Sequence, residues 1–209
     1  MFGHIGKALR VLALAGVALL LAAATGAAAI HPESDNALAT GTETSVPYGW
    51  VEFCERHAEE CVDEDHAAQD IELTATALKL ISRINAEVNR SIEPVTDIDQ
   101  WGLIDRWDFP VDGKGDCEDY ALLKRQRLVA AGFPRTALLL TVVKQENGEG
   151  HSVLTLKTSR GDYVLDNLTD RVKSWSATPY RFVKRQSQEN QNIWVAIAPR
   201  GDGARFAQR

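Results

Sequence analysis

Cys117, in the string Gly113-Lys114-Gly115-Asp116-Cys117-Glu118-Asp119-Tyr120, is a thiol placed where a glycine-rich turn gives way to a helical pattern. A helix start aims free backbone N–H groups and the positive end of its dipole at the first residues, which favours a thiolate. Downstream come a histidine between glycine and serine, Gly150-His151-Ser152, and an aspartate closing an apolar run, Leu165-Asp166-Asn167. Acyl transfer through sulfur needs these three groups: a thiolate, an imidazole to take and return a proton, and a carboxylate to hold the imidazole in one tautomer. Each has a plainer reading as well. A lone cysteine packs as a small apolar residue, a strand histidine is a satisfied polar group, and Asp166 can simply end a strand. Found together and in this order, with the thiol opening a helix, they point to catalysis.

The elements that must position them are legible in the spacing. Asp116 is suited to cap a helix beginning at Cys117, with Asp119 in the reciprocal position of a capping box. Tyr120, Ala121, Leu128 and Ala131 make its buried stripe, Lys124, Arg125 and Arg127 populate its second half, and Gly132 before Phe133-Pro134 ends it. An earlier amphipathic helix is predicted from about Asp70 to Ile92, on Leu73, Ala77, Leu80, Ile81, Ile84 and Val88. Residues 97–112, with Trp101, Trp107 and Phe109, show no period and read as an aromatic-bearing loop. Strands follow at 137–143, 151–158, 163–168 and 191–198. Helices first and strands afterwards predict an α+β domain with an antiparallel sheet.

The strand carrying His151 and the strand carrying Asp166 read as a hairpin. An even-numbered loop puts these two residues on one face, because opposed residues then differ in parity. A four-residue loop at 159–162 would set Asp166 opposite Thr155, so a bulge or a staggered pairing is expected to bring it to His151.

Compartment follows from the N-terminus. Lys7 and Arg10 precede an almost unbroken apolar run from Val11 to Ala24, and Ala27-Ala28-Ala29 offers small residues for cleavage. Residues 1–29 therefore read as a secretory signal peptide, the alternative being an uncleaved membrane anchor. The expected product is periplasmic or secreted. Residues 30–48 are rich in Ala, Thr, Ser and Glu and are expected to form a poorly ordered leader. A single domain over 49–198 and a loose tail over 199–209 complete the chain.

The formal charge is −6, and losing Lys7 and Arg10 makes the mature chain more acidic. Nucleic acid and anionic lipid are poor partners for such a domain. Export favours disulfides. Cys54 and Cys61 lie close enough to bridge; the alternative is a metal pair with His57 and His66, although the spacing is wider than zinc sites use. Cys117 is then the odd thiol, a reactive group or an intermolecular bridge.

From about Trp50 to Ile197 the chain resembles the bacterial transglutaminase-like cysteine proteinases, which include periplasmic proteases of the LapG type. The residues that carry the resemblance are GDCEDYALLKR at 115–125, GEGHSVLTL at 148–156, GDYVLDNL at 161–168 and TPYRFVKRQSQ at 178–188. The pair Cys54 and Cys61 matches a feature of many members. The resemblance implies a papain-like or transglutaminase-like fold, with the helix bearing Cys117 packed on a sheet bearing His151 and Asp166. It also implies a protein substrate at the cell surface or in the periplasm, and, from some relatives, an inner-membrane regulatory partner.

In LapG-type members the acids flanking the nucleophile bind calcium, and Asp116 and Glu118 stand at those positions here. Two carboxylates beside a thiol disfavour its ionisation, and a calcium ion held by them would reverse the local sign. Otherwise Asp116 only caps the helix and Glu118 only complements its dipole. Calcium takes six to eight oxygens, so backbone carbonyls or Asp112 would have to contribute. The chemistry itself requires no cofactor.

The function expected is an exported cysteine endopeptidase that forms a thioacyl-enzyme on Cys117, with His151 as base and then acid and Asp166 orienting it. Two alternatives stand beside it: transglutaminase or amidase acyl transfer on the same triad, and a secreted binding domain that keeps the scaffold without the chemistry.

Overall fold

In the computed structural model the described residues are 1–3, 36–62 and 67–198. Residues 4–29 of the expected signal peptide and the tail at 199–209 lie outside them. The elements that follow belong to the unit spanning Glu33–Arg209.

Its helices are α1 (Tyr48–Arg56), α2 (Ala75–Ser91), α3 (Asp97–Trp101) and α4 (Cys117–Ala130). Helix α2 starts later than its apolar pattern, because the Thr74 side chain accepts the Ala77 N–H at 3.1 Å and fixes the N-terminus there. Ile71 and Leu73 are still buried, but from an extended lead-in that bridges to Thr158. Helix α3 lies inside the stretch expected to be a loop. It is capped by Thr96 and stopped by Gly102 in the left-handed conformation.

Seven strands form one antiparallel sheet in the order β1-β9-β8-β4-β5-β6-β7. They are β1 (Thr40–Thr44), β4 (Leu138–Lys144), β5 (Gly150–Thr158), β6 (Gly161–Asp166), β7 (Thr169–Ser174), β8 (Arg181–Gln186) and β9 (Trp194–Ile197). A short parallel pair, β2 (Glu93–Pro94) and β3 (Lys114–Gly115), sits before α4. The α+β class and the nucleophile-bearing helix on an antiparallel sheet are as expected.

The sheet has two apolar faces. Towards the helices, Leu138, Leu140, Leu154, Leu156 and Leu165 pack with Trp50, Phe53, Ile81, Ile84, Leu122 and Leu128. Each such side chain contributes about 1.5–3 kcal/mol by leaving water. On the other face Leu38, Val143, Val153, Val164, Phe182 and Ile197 form a smaller cluster. Leu38 belongs to the stretch expected to be a loose leader. Within it, residues 36–48 are instead tied down: β1 pairs with β9, and the Leu38 N–H donates to the buried Asp162 carboxylate at 2.8 Å. Composition favoured disorder there, but one apolar residue and a free sheet edge suffice to anchor the chain.

Helix α4 packs on β4, β5 and β6 on one side and α2 on another. Being covered so widely, it buries Lys124 and Arg125 as well as its apolar stripe, so these two do not serve as exposed dipole-complementing charges. Arg125 lies over the Trp50 ring at 5.0 Å and accordingly keeps its charge among aromatic and amide partners.

The hairpin joining β5 and β6 is tighter than expected. Thr158 pairs with Gly161, leaving only Ser159 and Arg160 in the turn, and Gly161 adopts φ 97°. A β-carbon at Gly161 would also meet the Asn36 carbonyl oxygen at 2.5 Å, so the position requires glycine on two counts. The shorter loop shifts the register by two residues relative to the expected one. Leu165 now pairs with Leu154, so Asp166 follows on towards Val153 and not Thr155. His151 is then its diagonal neighbour on the same face, without any bulge between β5 and β6.

Candidate active site

The glycine turn places the thiol. Gly115 is buried against Asp119, whose Oδ2 would stand 2.5 Å from an added β-carbon. That close approach lets the Asp119 carboxylate accept the Asp116 backbone N–H at 3.3 Å, the reciprocal half of a capping box. Cys117 becomes the first residue of α4.

Strand β5 meets the sulfur. The Ser152 backbone N–H donates to Cys117 Sγ at 3.3 Å, and the thiol donates to Glu118 Oε2 at 3.0 Å. His151, next to Ser152, is buried, and its Nε2 lies 2.9 Å from Asp166 Oδ1. With Nε2 engaged by the carboxylate, Nδ1 is the ring nitrogen left to exchange a proton. Asp166 accepts two further hydrogen bonds, from the Leu168 backbone N–H at 3.0 Å and from Tyr180 Oη at 2.5 Å. Burial alone would raise the Asp166 pKa, but the bonds from His151, Tyr180 and Leu168 bring it below the ordinary carboxylate value. Asp166 is therefore ionised. Asn89 of α2 anchors its main chain, donating to the Asp166 carbonyl at 3.0 Å.

All three residues nominated from the sequence are thus brought to one end of α4 and one edge of the β5–β6 hairpin. Tyr180 belongs to the block at 178–188, and nothing in local spacing marks its role, because its partner Asp166 lies on another strand.

Around the thiol the field is negative. Asp97, Asp116 and Asp119 bring carboxylate oxygens within 4.8 Å of one another, and the Cys117 Sγ lies equally close to oxygens of Asp116 and Glu118. Burial first, then the Glu118 and Asp116 charges, push the Cys117 thiol well above its ordinary value, with the Ser152 N–H acting the other way. Burial and the neighbouring acids also raise Glu118, push Asp97 up to about 6 and push Asp119 up to about 8. Asp97 Oδ1 and Asp116 Oδ1 are buried without a hydrogen-bond donor. Buried acceptors of this kind cost about 1–3 kcal/mol each unless something positive faces them.

The donor set is hard oxygen, and it fits a calcium-type cation better than a soft metal. Asp116 and Glu118 stand where the sequence placed them. Asp112 does not join them: its carboxylate accepts from Gln100 Nε2 and from the Lys114 N–H. Asp97, carried in by α3, stands beside Asp116 instead. No local pattern marks Asp97, which lies in the stretch without period.

The upstream cysteines form the disulfide Cys54–Cys61. His57 is not a metal partner of that pair; its Nε2 lies 2.8 Å from Asp108 Oδ1 and its ring packs on Phe53 and Phe109. His66 lies outside the described residues. Trp107 is core, and Trp101 is half-exposed with the Arg106 guanidinium 4.6 Å above its ring.

With this geometry in hand, the chain matches the model of a family described as bacterial transglutaminase-like cysteine proteinase over residues 40–202. No match is found among curated proteins. Solved structures of Legionella pneumophila LapG are similar. An EGTA-treated form is 26% identical, covers 63% of this chain and 76% of its own, and gives a TM-score of 0.50. A calcium-bound form is 28% identical, covers 56% and 67%, and gives 0.48.

Proposed function

The chain belongs to the bacterial transglutaminase-like cysteine proteinase family, and from that premise we propose that it is an exported endopeptidase acting on a periplasmic or cell-surface protein through Cys117, His151 and Asp166. One observation carries this reading: β5 brings its Ser152 N–H to the Cys117 sulfur at 3.3 Å while Asp166 holds the adjacent His151 at 2.9 Å.

In the proposed reaction His151 takes the thiol proton on Nδ1 as sulfur attacks the scissile carbonyl carbon. An S–C bond forms, and the carbonyl electron pair moves to oxygen beside the Cys117 backbone N–H at the helix start. Collapse breaks the C–N bond, and His151 returns the proton to the leaving amine. A water molecule, deprotonated by the same imidazole, attacks the thioester carbon; the S–C bond breaks, the acid departs and the sulfur regains its proton. Asp166 stabilises the imidazolium at both stages without taking the proton.

Asp116 and Glu118 would hold a calcium ion beside this centre, with Asp97 and Asp119 bringing further oxygens up to Asp116, and the support is this hard-oxygen set and the orphaned buried oxygens of Asp97 and Asp116. When bound, such an ion offsets the carboxylate charge and favours the thiolate. An inner-membrane regulatory protein remains part of the proposal on family grounds alone. The test is a comparison of protein N-termini in the envelope and medium of cells carrying the parent chain or Cys117→Ala. New N-termini present only with the parent chain are expected, and identical sets would contradict the proposal.

A further inference from the structure

Tyr180 sits between β7 and β8, outside the elements that carry the three reacting groups, yet its phenol reaches the triad oxygen that His151 leaves free. Asp166 divides its oxygens. Oδ1 accepts from His151 Nε2 at 2.9 Å and from the Leu168 N–H at 3.0 Å, and Oδ2 accepts from Tyr180 Oη at 2.5 Å. The Tyr180 ring also lies 5.5 Å from the imidazole, tilted by 58°. We infer that Tyr180 is a positioning residue of the reaction: its hydroxyl fixes the plane of the Asp166 carboxylate and draws off part of its charge, so that the imidazolium is held but still gives up its proton. This rests on the triad reading above.

The physical case has three parts. A carboxylate with one strong partner concentrates its charge on that partner, and an O–H donor on the other oxygen spreads it. Burial and the Asp166 charge both raise the Tyr180 phenol, so it stays a protonated donor throughout the working range. The ring is fixed at its other side by the cluster containing Val143, Val153 and Phe182, so the donor is held in place by packing. Other ionisable groups act nearby: Cys117 of α4 acts on the Tyr180 phenol, and Lys124 of α4 feels the charges of Asp166 and of Asp170 on β7. None of them supplies the bond to Oδ2, which comes from Tyr180 Oη.

The test reads the hydrogen bond itself. In the full chain, the ring N–H of His151 that donates to Asp166 gives a downfield proton NMR signal whose position reports the acceptor strength of the carboxylate. Tyr180→Phe keeps the packed ring and removes the donor, and it should move the signal further downfield. Tyr180 replaced by 3-fluorotyrosine, one atom different and a stronger donor, should move it upfield. Asp166→Asn should move it upfield by more than either. A signal unmoved by both Tyr180 replacements, with Asp166→Asn still shifting it, would overturn the inference and leave the triad standing. A signal unmoved by Asp166→Asn would remove the triad reading beneath it.

Discussion

At the residue scale the thiol is held between opposing influences. The helix start and the Ser152 N–H favour the thiolate, while burial, Glu118 and Asp116 favour the thiol, and the second set prevails when only protein groups are counted. A cation on the acids would alter that balance. Alkylation of Cys117 by iodoacetamide should therefore be slower in EGTA than in calcium by about tenfold, one pKa unit of thiolate content. Asp116→Asn should blunt the difference, and equal rates in the two buffers would remove calcium from the account. Type and order of residues were enough to nominate Cys117, His151 and Asp166, whereas Asp116 and Glu118 were nominated as cation ligands only by the family resemblance. Asp97 and Tyr180 were not legible, because neither belongs to a local pattern; tertiary packing brings α3 and the segment before β8 to the site.

At the scale of elements, α4 carries most of the consequences. Its capping signals and its stop at Gly132 could be read from sequence, but how much of it is covered could not, since that depends on α2 and three strands arriving from elsewhere. Lys124 is the result. It is 1% exposed, and burial lowers its pKa from 10.5 to about 7, despite the charges of Asp166 and Asp170. Between these values the unfolded chain binds a proton that the folded chain does not, so stability is lost as pH falls from 10.5 through about 7. Lys124→Met should abolish that loss. It is expected to raise the melting temperature at pH 7 by more than at pH 10, as measured by circular dichroism, and an equal change at both values would count against the burial argument. The hairpin teaches a related lesson. Parity placed His151 and Asp166 on one face correctly, whereas loop length, set by Gly161 and its contact with Asn36, fixed the distance between them. Strands β7 and β8 escaped notice because Thr169–Ser174 and Arg181–Gln186 are polar and charged, with little apolar alternation to mark them.

At the scale of the molecule, the disulfide ties the segment after α1 to the buried arginine of α4. Cys54–Cys61 constrains the chain that presents Glu60, whose carboxylate lies 2.8 Å from Arg135 Nη2 and 3.8 Å from the buried Arg125. Reduction releases a short loop, worth about 2–3 kcal/mol of unfolded-state entropy. The expected result is a lower urea midpoint in dithiothreitol with an unchanged slope, and coincident unfolding curves would show the bridge to be dispensable.

The central claim is that Cys117 and His151 act as one acyl-accepting pair. It is tested most directly by the rate at which iodoacetamide labels Cys117 at pH 7 in calcium-containing buffer, measured by intact mass for the parent chain and for His151→Ala. The account predicts labelling of the parent at least about tenfold faster, because the imidazole takes the thiol proton. Equal and slow labelling of both would contradict it.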